Sequence, residues 1–403
     1  MPAMKLESSP PRMRAKLPQA VIALGLVSFF TDLSSEMIYP LLPVFLAGVL
    51  GAGAFSLGLI EGVAETTAAV LKVFSGIWSD RLQRRRPFIL AGYGLSSLAR
   101  PLIGLARAWP FVLLMRFADR VGKGLRSSPR DALIANATPQ SLRGRAYGLH
   151  RAMDHAGAVA GPLVAAALMS KAGFSMRQVF LMAALPGIAV MGILLFKVKE
   201  SAASPPPAVA RPARAGWRDM SRDFRRFLLA LIVFTLGNST DAFLLLYLAQ
   251  SGIDAPRVAL LWSLHHVVKM VATYAGGRAS DRIGRRAMIT GGWLIYAAVY
   301  AAFAFVPSQA GLIAAFLIYG LFYGLTEPAE KAWVADLAPA RIRGAAFGYY
   351  HGGIGVAALP ASLIFGLIWH RWGAAPAFLT GAALALLAVL LLSRVPGRIR
   401  EEA

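Results

Sequence analysis

The sequence predicts an all-α membrane protein: twelve transmembrane helices in two pseudo-symmetric six-helix bundles. Three observations predict it. Of the 403 residues, 57% are hydrophobic and 15% charged, and the mean hydropathy is +0.57, more apolar surface than one water-soluble core hides. The chain parses into twelve mostly apolar stretches, each close to or longer than the roughly 20 residues that cross a bilayer core. Residues of the first half recur in the second at a nearly constant offset. The 39 Gly and 24 Pro suit transmembrane helices, and no stretch shows the alternation over about 10 residues that an outer-membrane barrel strand needs.

Taken in order, residues 1–17 carry Lys5, Arg12, Arg14 and Lys16 with no small-residue cleavage site beyond them, and read as a retained cytoplasmic tail. The first bundle, 18–197, places spans at 18–48, 54–78, 88–106, 109–137, 143–170 and 176–197. Its polar joints, such as Arg84, Arg85, Arg86 and Pro87, separate runs that are mostly apolar. Residues 198–223 hold Ser204, Pro205, Pro206 and Pro207 followed by Arg211, Arg214 and Arg218, the composition of a solvated cytoplasmic linker. The second bundle, 224–394, places spans at 224–250, 256–277, 287–306, 309–337, 342–369 and 374–394, and 395–403 form a second cytoplasmic tail.

A net charge of +22 invites a nucleic-acid partner until its location is considered. Roughly 27 of the Lys and Arg residues fall in the tails, the loops expected inside and the span ends beside them. About five fall outside, as the positive-inside rule requires. The excess is therefore topological. It implies a multi-pass protein of a bacterial-type inner membrane with both termini cytoplasmic, surrounded by lipid, binding no nucleic acid and working as a monomer. The absence of cysteine excludes disulfides, iron–sulfur clusters and thiolate metal sites. Gly122, Lys123 and Gly124 lack the rest of a phosphate loop, no nucleophile constellation stands out, and the chain calls for no cofactor or resident metal. It does not read as an enzyme.

The repeat is specific. Ala132, Ala135, Pro139, Arg143, Gly144, Ala146 and Gly148 recur 200 residues later as Ala332, Ala335, Pro339, Arg343, Gly344, Ala346 and Gly348. Near an offset of 201, Gly76, Ser79, Asp80, Arg81 and Arg85 recur as Gly277, Ser280, Asp281, Arg282 and Arg286. Six spans return the chain to the same side, so the copies are parallel, an arrangement of transporters that bind substrate at mid-depth between the halves.

At these loops the chain resembles the major facilitator superfamily, and most closely its proton-coupled drug and solute antiporters. Gly76 to Arg85 resembles the signature G-x-x-x-D-R-x-x-R-R, and Gly277 to Arg286 is a second copy. The resemblance implies that Gly76, Asp80, Arg81, Arg85, Gly277, Asp281, Arg282 and Arg286 gate the conformational cycle. Arg116 and Asp119, followed by Arg120, stand where the antiporters carry R-x-x-Q-G, with Asp for Gln and Arg for Gly. Gly157, Gly161 and Pro162 resemble the antiporter motif G-x-x-x-G-P, associated with export, although Ala165 and Ala166 follow where further glycines belong. Small residues four apart also simply permit close helix packing.

Ionisable groups at bilayer depth are costly and thus functional candidates. Asp32 and Glu36, four apart on one helical face, are the first choice as proton carriers, with Glu61, Glu65 and Asp241 second. Neighbouring carboxylates in a partly dry site are suited to loading and releasing a proton. Asn238, Ser239, Thr240 and Asp241 are the counterpart of the Asp32 region, which would set Glu36 opposite Asp241 across a cavity. Glu61 and Glu65 match Trp262 and His266, with His265 and Lys269 nearby. Arg116, Asp119, Arg120, Tyr39, Tyr247, His265, His266, Lys269 and Glu327 are candidate substrate residues, the arginines because a guanidinium matches carboxylate or phosphate geometry. A pairing of Asp32 or Glu36 with Arg116 or Arg120 that merely fixes packing is the competing expectation. His150, Arg151, Asp154, His155, Glu330, Lys331 and His351 are expected to add polar lining.

The expected function is secondary transport of a small polar or charged solute by alternating access, with protons as coupling ion and export by antiport. Proton- or anion-coupled uptake, or export of a metal ion or metal chelate, is the alternative.

Overall fold

A computed structural model describes residues 17–82, 85–139, 142–198, 217–338 and 342–396. The tail 1–16, most of the linker and the last seven residues lie outside the described residues. The described chain is helical with no strand. The first half holds α1 (Gln19–Ile38), α2 (Leu42–Gly48), α3 (Ala54–Leu82), α4 (Arg86–Leu102), α5 (Trp109–Ala137), α6 (Arg143–Ala172), α7 (Met176–Met182) and α8 (Ala184–Lys197). The second holds α9 (Arg222–Gly237), α10 (Ala242–Gln250), α11 (Ala255–Ile283), α12 (Arg285–Phe305), α13 (Gln309–Leu337), α14 (Arg343–Trp372) and α15 (Ala374–Leu392). These join into twelve long segments, since α1–α2, α7–α8 and α9–α10 each form one interrupted span.

Among the described residues, ten segments are long and apolar enough to cross a membrane. The two others, α5 and α11, carry Arg116, Asp119, Arg120 and Lys123, and His265, His266 and Lys269, in their middle turns. Protein rather than lipid must face those groups. The interruptions have local causes. Tyr39–Leu41 is a 3₁₀ turn around Pro40, with Pro43 starting α2. Residues 238–241 are unwound after Gly237. Irregular backbone at membrane depth persists only where protein satisfies it. Here Tyr296 Oη donates to the Gly237 carbonyl at 2.8 Å, and Tyr300 Oη lies 3.1 Å from Ser239 Oγ.

The repeat is kept in the backbone and broken in the core. Arg100 and Asp119 form a buried 2.9 Å ion pair between α4 and α5. Their counterparts 200 residues on, Tyr300 and Tyr319, belong instead to an aromatic core in which Phe234 stacks on Trp293 at 4.7 Å and Tyr296 on Tyr300 at 4.1 Å. One half is tied by charge and the other by rings.

Close packing fixes α1 against α6. A Cβ on Gly157 would lie 2.4 Å from the Phe29 carbonyl oxygen, and one on Gly161 2.7 Å from that of Leu33. The packing role of the G-x-x-x-G-P segment is thus visible, with Pro162 carried inside α6.

Candidate functional site

The halves meet along α3 with α14 and α6 with α11. Thr66 Oγ1 donates to the Gly355 carbonyl at 3.0 Å, and Ser263 Oγ to that of Val159 at 2.9 Å. The first is at mid-depth in the cavity wall; toward the face opposite the chain termini and linker α3 and α14 pack closer still, a Cβ on Gly58 lying 2.4 Å from the Ser362 carbonyl oxygen. On the linker side the helices part around a cavity of about 1070 Å³. It runs from Tyr39 and Asn238 at mid-depth to Ser127, Ser128 and Gly348 near the linker-side helix ends.

Charged groups from both halves line it: Glu65, Lys72, Lys123, Asp241, Lys269, Glu327, Glu330 and His351. Asp241 sits at the start of α10 and is gripped by two hydroxyls of α13, Tyr319 Oη at 2.8 Å and Tyr323 Oη at 2.8 and 2.9 Å. Lys269 Nζ stands 3.5 Å from the centroid of the Tyr323 ring. Tyr39 Oη meets Thr240 Oγ1 at 3.2 Å across the halves. Glu65 forms an ion pair with Arg120 at 3.2 Å, Glu330 accepts from Tyr350 Oη at 3.0 Å, and Glu327 accepts from Lys331 at 2.9 Å, with Arg151 of α6 at 3.6 Å.

Beside the cavity lies a second, drier network. Arg116 grips Glu61 through three contacts of 2.7–3.0 Å and reaches Asp119 at 3.7 Å. Asp119 is also held by Arg100, which donates to the Thr31 carbonyl at 2.8 Å. Arg126 lies over the Tyr93 ring at 4.5 Å. Glu61 and Asp119 are each 1% exposed, Arg116 5%. This network ties α3, α4, α5 and α1 together and leaves Arg116 and Asp119 no face toward the cavity. Neither is among the groups that line it, nor is Arg120, which is turned to Glu65.

Glu36 belongs to the interface between the halves. Trp262 Nε1 donates to its carboxylate at 2.7 Å, and His266 Nε2 lies 3.9 Å away. It therefore engages α11 rather than Asp241, the opposite number expected from the repeat, because the Asp241 oxygens are taken by tyrosines. Asp32 makes no ion pair or hydrogen bond through its carboxylate among the described residues. Asp154 and Glu36 are the acids that face it, and Lys123 and Arg100 the bases. Asp154 in turn accepts a short hydrogen bond from Ser28 and faces His150 at 3.5 Å. The expected static pairs of Asp32 or Glu36 with Arg116 are absent among the described residues, since Arg116 is spent on Glu61 and Asp119.

Two further candidates move away from the cavity. Tyr247 packs among Phe303, Phe378 and Trp369 at 5.4–5.9 Å, inside the second half. His265 is sandwiched between Trp262 and Phe316, with Nδ1 3.2 Å from the Phe316 carbonyl. Both are core residues, because aromatic rings at those turns of α10 and α11 face their own bundle. In the gating loops, the side chains of Gly76, Asp80, Arg81 and Asp281 lie outside the described residues. Of the others, Arg282 is exposed, Gly277 faces Pro328, and Arg286 donates to the Val395 carbonyl at 3.0 Å. Arg85 is partly buried. Lys72, the Ser28–Asp154 contact and the gripping role of Tyr319 and Tyr323 were not singled out from sequence. A polar run directly after Gly237 inside an apolar span was the available signal for the break that brings the tyrosines to Asp241.

Two six-helix halves around a mid-depth cavity that holds ionisable groups from both, open on one side and closed on the other, define a membrane transporter rather than an enzyme. The comparisons name the family. The chain matches the Major Facilitator Superfamily over residues 24–264 and 227–402, and belongs to it. It is 34% identical over 386 residues, 94% of this chain and 95% of the relative, to an uncharacterized MFS-type transporter of Methanocaldococcus jannaschii. It is 28% identical over 326 residues, 78% of this chain and 77% of the relative, to the multidrug resistance protein MdtH of Cronobacter sakazakii. Among solved structures it resembles a bacterial homolog of the human lysosomal transporter Spinster, with a TM-score of 0.75, 16% identity and coverage of 94% and 98%.

Proposed function

We propose that the chain exports a small polar or charged solute across a bacterial-type inner membrane in exchange for protons, as a monomer with both termini in the cytoplasm and bundles at 18–197 and 224–394. The linker face would then be cytoplasmic, and the cavity open to the inside. Relatives named as multidrug resistance proteins favour export over uptake.

The carrying observation is the Glu36–Trp262 hydrogen bond, 2.7 Å long and made between halves. A hydrogen bond to a charged group contributes about 1.5–3 kcal/mol, against about 0.5–1.5 kcal/mol for a neutral pair. Protonating Glu36 therefore weakens a contact that holds the halves together on the closed side. Arg116, Arg120 and Lys123 face Glu36 from α5, and Trp262 and His266 from α11, so its charge is balanced while the cavity is open to the linker face. The clamp keeps the empty, deprotonated carrier in this state. A proton on Glu36, or a solute acting on the cavity face of α11, parts it. A carrier that switches with either passenger but not when empty is an exchanger. Asp32 and Asp154 stand next to this site and relay the proton.

Purified protein in liposomes with a preset pH gradient and a trapped pH dye tests the proposal, as cations, anions and neutral solutes are added in turn. Collapse of the gradient by a solute on the side that antiport requires supports exchange. Collapse with the opposite sign means symport, and solute flux with no pH change removes protons from the cycle.

A further inference from the structure

The charges of the cavity divide by whether they already have partners. Every carboxylate lining it takes a hydrogen bond or an ion pair: Glu65 pairs with Arg120, Asp241 accepts from Tyr319 and Tyr323, Glu327 from Lys331, and Glu330 from Tyr350. The three lysines lining it do not give one. The ammonium groups of Lys72, Lys123 and Lys269 make no hydrogen bond and no ion pair among the described residues. Lys72 and Lys123 are exposed and Lys269 is partly buried; Lys72 lies toward the linker-side end of α3, while Lys123 and Lys269 occupy the middle turns of α5 and α11. The Tyr323 face covers one side of the Lys269 ammonium, and the Glu327 and Asp241 carboxylates act on it from beyond ion-pair distance. An ammonium offers three donors, and an ammonium without acceptors at membrane depth is costly. The same cavity also has apolar lining, Leu231, Phe234 and Phe322 among it.

We infer that the solute is an organic anion: its carboxylate, sulfonate or phosphate group binds the Lys269 ammonium, Lys123 and Lys72 draw it inward, and its apolar body lies against Phe234 and Phe322. This rests on the transported solute occupying the cavity, as proposed above. It also gives the solute a hold on α11, two turns along the helix from Trp262, the residue that clamps Glu36.

Calorimetric titration of the full chain in phosphatidylcholine nanodiscs tests this with three probes of one body: naphthalene-2-sulfonate, naphthalene-2-sulfonamide and (2-naphthylmethyl)trimethylammonium. The sulfonate is expected to bind at least about tenfold more tightly than the other two, with a preference that shrinks as salt rises. Lys269→Gln should weaken the sulfonate about tenfold, Lys269→Arg should restore it, and Lys171→Gln, exposed at the far end of α6, should leave it unchanged. The double variant Lys72→Gln/Lys123→Gln, at two exposed positions, should also weaken it and gives a second readout independent of the partly buried one. Tightest binding of the ammonium probe, equal binding of all three, no sulfonate binding, or full sulfonate affinity in both the Lys269→Gln and the double variant overturns the inference. Displacement of the sulfonate by phosphatidate assigns the anion to a lipid headgroup, and its persistence assigns it to a free solute; both keep an anion at Lys269. The exchange proposal fails separately: a cation that binds and collapses the pH gradient overturns the anion but keeps exchange, and sulfonate flux indifferent to the gradient does the reverse.

Discussion

Replacing Arg116 by Gln strands Glu61. That carboxylate is 1% exposed, and three contacts of 2.7–3.0 Å to one guanidinium are its hydrogen bonds and ion pair among the described residues. Removing one partner of a buried pair costs about 3–5 kcal/mol, because the remaining charge is uncompensated. The converse change is milder. In Glu61→Gln, Arg116 keeps Asp119 at 3.7 Å, and Gln retains one acceptor, so a loss of about 1–3 kcal/mol is expected. The double variant replaces the ion pair by an amide pair and should be no less stable than Arg116→Gln alone, which corresponds to a coupling energy of about 2 kcal/mol. At about 2–4 °C per kcal/mol for a unit of 150–250 residues, Arg116→Gln alone lowers the unfolding midpoint by about 10 °C. Thermal scanning in detergent, followed by size-exclusion profile, measures all four proteins. A double variant as unstable as the sum of the two singles would show that Glu61 and Arg116 are not a coupled pair and would refute the reasoning.

Three other perturbations address separate elements. Gly157→Val puts atoms within 3 Å of the Phe29 carbonyl, so α1 and α6 must move apart; a fall in folded yield is expected, and an unchanged yield and melting profile would contradict that packing. Tyr319→Phe with Tyr323→Phe removes the hydroxyls from Asp241 and should cost about 1–3 kcal/mol while raising the reactivity of a cysteine reporter placed at Ser239; unaltered reactivity would mean the hydroxyls do not hold the break. Tyr247→Leu should lower the melting midpoint through lost ring packing yet leave solute affinity unchanged, and a change of affinity would return Tyr247 to the cavity.

Helix positions were legible because hydropathy reports directly on burial in lipid. The stretch read as 109–137 is α5, Trp109–Ala137, and 309–337 is α13, Gln309–Leu337. Interruptions were less legible. The run after Gly237 is polar enough to signal a break, but apolar residues on both sides make the span read as continuous. Which charge meets which was least legible, because pairing depends on helix rotation as well as height. Glu61 and Arg116 are 55 residues apart on helices whose facing sides cannot be deduced from either sequence alone. The same uncertainty moved Tyr247 and His265 into the core. The repeat also misled at one point, since equal positions in the two halves carry ions in one and rings in the other.

In the exchange proposed above, the charge of Glu36 couples protons to the solute. Glu36→Gln keeps an acceptor for Trp262 but cannot change charge, so it fixes the contact in its protonated-like form. In proteoliposomes, labelled solute should still exchange with unlabelled solute across the membrane at a rate close to that of the unaltered protein, while net accumulation driven by a pH gradient is abolished. Gradient-driven accumulation by Glu36→Gln at the unaltered rate would contradict the account and place the coupling proton elsewhere.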